Sequence, residues 1–96
     1  MKALVQFYWD CGRSGDVEGL FIRAKEDLSK IIGKEVYFGE ILGKHSEVYG
    51  TINDGDLVVV SEDQSVIKVL EDIFTDGTIS GYNPFEFLQD KESEQG

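Results

Sequence analysis

The 96 residues contain one cysteine, one proline, one histidine, one methionine and one tryptophan. With Cys11 alone, an internal disulfide framework and a thiolate zinc cluster are both excluded, so a reducing compartment fits and a cytoplasmic location is expected. No apolar run approaches the roughly 18 residues of a membrane span. The stretch Ala3 to Trp9 is interrupted by Gln6 and closes on Asp10-Cys11-Gly12-Arg13, too short for a signal-peptide core with its cleavage site. Positive charge is also scarce: 9 Lys+Arg stand against 19 Asp+Glu, a formal net charge of −10. Such a field repels nucleic acid and anionic membranes, which argues against either as a direct partner.

What is present argues for a fold. The chain is 41% hydrophobic and 11% aromatic, well above a disordered acidic segment, and its length suits one modest core. A single α+β domain is expected over residues 1–88, followed by a disordered acidic tail over 89–96. Residues 2–9 alternate Ala3, Val5, Phe7 and Trp9 with Lys2, Leu4, Gln6 and Tyr8, the period of a strand with one better-buried face. A turn-rich segment over 10–16 leads to a second strand over 17–22, completing a hairpin. Ala24, Leu28, Ile31 and Ile32 form the apolar stripe of a short helix, with Glu26 and Asp27 in its first turn, Lys30 in its last and Gly33 as its left-handed terminator.

Two further strands are expected over 34–42 and 47–52. Asp54-Gly55 then predicts a tight hairpin from Thr51-Ile52 into Leu57-Val-Val-Val60. Ser61 and Gln64 suggest a capping box opening a second helix through about Phe74, with the stripe Val66, Leu70, Ile73 and Phe74. The two stripes share one spacing, so the chain reads as a ββα-β-ββα order: an antiparallel sheet of about five strands with both helices packed on one face. Asn83-Pro84-Phe85 suits a short C-terminal helical turn, with Asn at the cap and Pro at its first position.

Charge is distributed unevenly. Residues 1–45 are neutral overall, and the whole excess of negative charge falls in residues 46–96. Glu62 and Asp63 begin the second helix, where the helix dipole favours them, and Asp54 and Asp56 are turn residues. Glu71, Asp72 and Asp76 crowd its C-terminal end, where a negative charge is unfavourable by about 0.3–1 kcal/mol. Lys68 is expected to offset part of this through Glu71 and Asp72. Carboxylates placed against the dipole suggest either a solubilising face or an interaction face for a basic partner.

The motifs of catalysis fail individually. Gly39-Glu-Ile-Leu-Gly43-Lys44-His45 has the wrong glycine spacing for a phosphate-binding loop, and His follows its lysine where Ser or Thr belongs. His45, Ser46 and Glu47 are adjacent in sequence, and neighbouring strand side chains point to opposite faces, so they form no relay. Asp54-Gly55-Asp56 lacks the remaining ligands of a calcium loop, and one His with one Cys makes no metal site. Cys11, with Arg13 near and Asp10 opposing, reads as an inert thiol. Asn83-Pro84-Phe85 matches a peptide motif read by adaptor domains, but capping explains all three residues. Tyr8 and Tyr49, on an outer sheet face, would serve as interface anchors.

The function expected is therefore that of a binding protein, not an enzyme, with no metal and no cofactor. The first reading is an inhibitor whose acidic second half covers a basic, nucleic-acid-binding surface of a larger protein, through Asp54, Asp56, Glu62, Asp63, Glu71, Asp72 and Asp76. Size and charge are similar to those of small phage-encoded inhibitors, including nuclease inhibitors, although no motif here matches a named family. The alternative is a small-ligand or regulatory module using the glycine-rich segment 39–50, with Arg13, Lys44 and His45 around a pocket. A monomer or a homodimer joined through a strand edge is expected in either case.

Overall fold

A computed structural model describes residues 1–43 and 47–89. β1 (Lys2–Asp10) and β2 (Asp16–Ala24) pair antiparallel along their whole length, from Lys2 opposite Ala24 to Asp10 opposite Asp16. A 3-10 turn at Gly12–Ser14 joins them, closed by the Cys11 N–H donating to the Gly15 carbonyl at 2.9 Å. α1 (Lys25–Ile31) follows β2 directly, and Gly33 beyond it takes the left-handed φ of 88° that the sequence predicts. β3 (Glu35–Gly39) and β4 (Val48–Thr51) pair with each other. β5 (Leu57–Ser61) pairs with β1, α2 (Gln64–Ile73) follows, and β6 (Thr78–Gly81) pairs with β2.

The single five-stranded sheet is thus corrected to two sheets: four strands in the order β5-β1-β2-β6, and the separate β3-β4 pair. The order is ββαβββαβ, and the second ββα unit does not exist, because β4 and β5 are not paired. The reason lies at Asn53 to Asp56. In place of a tight hairpin, residues Asp54–Asp56 form a 3-10 turn. The Asp56 carboxylate accepts both the Asn53 N–H and the Trp9 indole N–H at 2.8 Å, tying the turn to the end of β1 and delivering β5 to that strand.

The expected placement of both helices on one face is also wrong. β1 and β2 bury apolar side chains on both sides, so both sides need cover. Ala3, Val5, Phe7, Val17 and Phe21 face the β3-β4 pair, and Ile31 of α1 joins this larger core. Leu4 and Ile22 point the other way and meet Ile67 of α2. Aromatic edges knit the larger core: Phe38 lies within 4.9–5.9 Å of the rings of Phe7, Trp9, Tyr82 and Phe87.

α2 shows a further difference. Its sequence holds Val66, Ile67, Val69, Leu70, Ile73 and Phe74, enough apolar residues for two overlapping stripes. Packing selects Ile67, which is 2% exposed, with Leu70 beside it, and leaves Val66, Val69 and Ile73 exposed. The cap is Asp63, not Ser61: its carboxylate accepts the Ser65 N–H at 3.0 Å. Ser61 instead accepts the Asp63 N–H through its hydroxyl at 3.1 Å.

β6 comes so near β2 that side chains are excluded between them. A Cβ on Gly19 would lie 1.9 Å from the Tyr82 carbonyl oxygen, and one on Gly81, at φ 69°, would lie 2.2 Å from the Glu18 carbonyl oxygen. The 3-10 turn Pro84–Phe87 is capped by Asn83, as its sequence implies. Asn83 is buried, accepts the Phe85 N–H at 3.0 Å and donates to the Thr78 hydroxyl at 3.1 Å, so its polarity is satisfied within the fold. Pairing continues through Leu88 opposite Val36 and the Gln89 N–H on the Glu35 carbonyl. Residues 90–96, most of the expected acidic tail, lie outside the described residues.

Candidate partner-binding surface

The seven candidate acids lie along one stretch of chain: Asp54 and Asp56 in the turn before β5, Glu62 and Asp63 between β5 and α2, Glu71 and Asp72 in α2, and Asp76 in the turn after it. Lys68 is the one basic residue between Asp54 and Asp76. The same stretch exposes large apolar side chains. Val58 and Val60 of β5 are 55% and 51% exposed, and Val66, Val69 and Ile73 of α2 are exposed as well. An edge strand and a helix flank therefore present hydrophobic area inside a field of carboxylates, a composition suited to an interface core with a charged rim.

The acids do not act alike. Asp63 caps α2, and its hydrogen bonds from the Ser65 hydroxyl and backbone, with the Val66 N–H, hold its carboxyl below the usual range. Asp56 is engaged by Asn53 and Trp9, and Asp76 accepts the Thr78 N–H at 3.0 Å. Glu62 pairs with Lys25 at 3.2 Å, and Glu71 pairs with Lys2. Lys2 thus takes the place expected for Lys68 beside Glu71, because the start of β1 lies under that flank of α2. Among the described residues, Asp54 and Asp72 form no side-chain hydrogen bond or ion pair, so these two carboxylates are presented to solvent without an internal task.

The two tyrosines expected as anchors share one hollow. Tyr8, Trp9 and Tyr49 line an open depression of about 560 Å³ together with Asp10, Cys11 and Asp56. Tyr49 is 68% exposed. Gly50 lets the strand carrying it approach the indole of Trp9, since a Cβ there would stand 3.3 Å from that ring. A hydrogen bond to Asp16 pushes the Tyr8 phenol up, and a hydrogen bond to Glu47 at 2.6 Å does the same for Tyr37. Burial, followed by the charges of Asp10 and Asp16, pushes the Cys11 thiol up, away from the thiolate that a nucleophile needs.

Of the alternative ligand residues, Arg13 lies among the described residues. Arg13 is exposed on the 3-10 turn between β1 and β2. Lys44 and His45 lie outside the described residues. The glycine-rich segment 39–50 begins at Gly39, the last residue of β3, with φ 82°, and places Val48 in the main core with Ile41 and Leu42 packed against it. Among the described residues, no group of three His, Cys, Asp or Glu is arranged to hold a metal, and no helix is long and apolar enough to cross a membrane. Sequence reasoning missed the Trp9–Asp56 bond that links the anchors to the acidic stretch. Its signal, an indole donor at a strand end and a turn aspartate, does not carry its own partner.

No protein-family model matches this chain, and neither the curated proteins nor the solved structures contain a significant match.

Proposed function

We infer that this chain is a small acidic protein-binding inhibitor that covers a basic, nucleic-acid-binding surface of a larger protein. Its carboxylates stand where phosphates would, as in a phage-encoded anti-defence protein or nuclease inhibitor. The observation that supports this reading is the β5-α2 surface, where exposed Val58, Val60, Val66, Val69 and Ile73 are interleaved with seven acids and one lysine. The carboxylates steer a basic partner and set its register, while the valines and Ile73 supply the area that excludes water. Asp54 and Asp72, which carry no internal bond, are the charges most available to it. Catalysis plays no part in this reading.

The test is capture of partners from a host lysate on the immobilised chain, at low and at high salt, followed by competition with duplex DNA and RNA. The expected result is a basic nucleic-acid-processing protein that is released by salt and displaced by its own nucleic acid. A partner that stays bound at high salt and holds nucleic acid at the same time would overturn the mimicry.

A further inference from the structure

The β3-β4 pair turns one face to the core and the other away from it. Register sets Glu35 opposite Thr51, Val36 opposite Gly50 and Tyr37 opposite Tyr49. Side chains alternate along a strand, and Val36, Phe38 and Val48 are buried in the main core, so Glu35, Tyr37, Tyr49 and Thr51 share the outer face. α2 packs on the opposite side of the four-stranded sheet, which puts this face on the far side of the molecule from the β5-α2 surface.

The face is concave. Glu35, Tyr37, Tyr49, Thr51 and Gln89 are among the residues that line a hollow of about 380 Å³. Tyr37 and Tyr49 are 39% and 68% exposed, with ring centroids 6.3 Å apart and planes inclined by 34°. The Tyr37 hydroxyl donates to the Glu47 carboxylate at 2.6 Å, which holds an anion beside the ring and enriches its π face. Among the described residues, no lysine or arginine lines this hollow. None lines the adjoining depression either, which shares Tyr49, Gly50 and Thr51 with it and carries Asp10 and Asp56.

We propose that this hollow is a second binding site, which takes an arginine side chain of a partner protein, stacked on Tyr37 and Tyr49 with its guanidinium donating to Glu47. Exposed tyrosine rings beside carboxylates attract a cation through the ring quadrupole and the local field together, and they offer nothing comparable to a neutral or anionic group. A guanidinium is planar, so it lies on a ring and donates from its edge at once; an ammonium has no flat face to stack. Charge selects against a second copy of this chain as the donor, because two molecules of net charge −10 repel. Arg23 is moreover already held by Asp27 and by the Phe85 ring. The site does not depend on the inhibitor surface, and a chain with both would hold partners on two opposite sides.

The test is amide chemical-shift titration of the full chain with a blocked glycine peptide carrying one central arginine, beside the same peptide with lysine or citrulline in its place. The arginine peptide is expected to shift Tyr37, Tyr49 and Thr51, and the citrulline peptide, which keeps the shape without the charge, to shift none of them at the same concentration. Tyr49→Leu keeps an apolar side chain without the ring and should weaken the arginine peptide about 2–5-fold, and Glu47→Gln should weaken it as well. Asp72→Asn, on the far side, should leave it unchanged. Tyr49 is exposed, so its replacement keeps the fold, which unperturbed Val5 and Phe21 amides would report. Equal binding of the lysine peptide, full affinity in Tyr49→Leu, or shifts confined to β5 and α2 would overturn the site. Self-association of the chain that Arg13→Ser abolishes would give the hollow to a second copy and overturn it too.

Discussion

Replacing Ile67 by alanine removes three carbons from the smaller apolar cluster, where Ile67 meets Leu4 and Ile22 and is 2% exposed. Three methylene equivalents at about 0.8 kcal/mol each give about 2.4 kcal/mol of lost burial. The cavity left behind would take the total toward about 4 kcal/mol if the site stayed rigid. This cluster has few members and lies under a single helix, so it can collapse, and a loss of about 2–3 kcal/mol is expected. The same substitution at Ile73, 63% exposed on the same helix, removes little buried area and should change stability by less than about 0.5 kcal/mol. Urea unfolding of the two variants and the parent, read as midpoints at constant slope, provides the comparison. A loss at Ile73 equal to that at Ile67 would refute the facing of α2, and with it the free apolar flank.

Gly19→Ala forces a Cβ to within 1.9 Å of the Tyr82 carbonyl, so β2 and β6 must part and the Tyr82 N–H bond to the Glu18 carbonyl is lost. A fall of at least about 4 kcal/mol is expected, against less than about 0.5 for Gly55→Ala, whose surroundings are open; equal melting temperatures would contradict this. Asp63 has its folded pKa lowered, so its contribution to stability is present above the ordinary carboxylate range and disappears as pH falls through the folded value. The stability deficit of Asp63→Ala should accordingly be full at neutral pH and shrink in acid, whereas a pH-independent deficit would remove the carboxylate from the argument. Cys11, its thiol pushed up by burial and by Asp10 and Asp16, should react with iodoacetamide more slowly at neutral pH than free cysteine; an equal rate would show that it is neither shielded nor depressed in reactivity.

Much of the sheet was legible because β1 and β2 alternate cleanly, and α1 was legible because its stripe, charges and terminal glycine agree. β6 was not, since Ile79 is the one large apolar residue between Gly77 and Gly81, and its place depends on a close backbone approach at Gly19 that no local pattern announces. Asp54-Gly55 carries a hairpin signal, yet the bond from Trp9 to Asp56, 47 residues apart in sequence, redirects the strand to β1. α2 contains two usable stripes, and only the position of Leu4 and Ile22 decides between them. For the candidate surface, the clustering of acid was readable in advance, whereas the exposure of Tyr8 and Tyr49 was only the condition on which they could serve as anchors. The division of the acids into those with internal bonds and the free Asp54 and Asp72 was not readable, because the partners of Glu71, Asp56 and Glu62, which are Lys2, Trp9 and Lys25, come from distant parts of the chain.

The most direct test of the account is the dissociation constant of the captured basic partner for the parent chain and for Asp54→Lys/Asp72→Lys across a series of salt concentrations. Neither carboxylate supports the fold, so the double reversal should leave stability unchanged while weakening binding at least ~10-fold at low salt, with the gap closing as screening increases. An unchanged dissociation constant with the same salt dependence would contradict the claim that this acidic surface is where the partner binds.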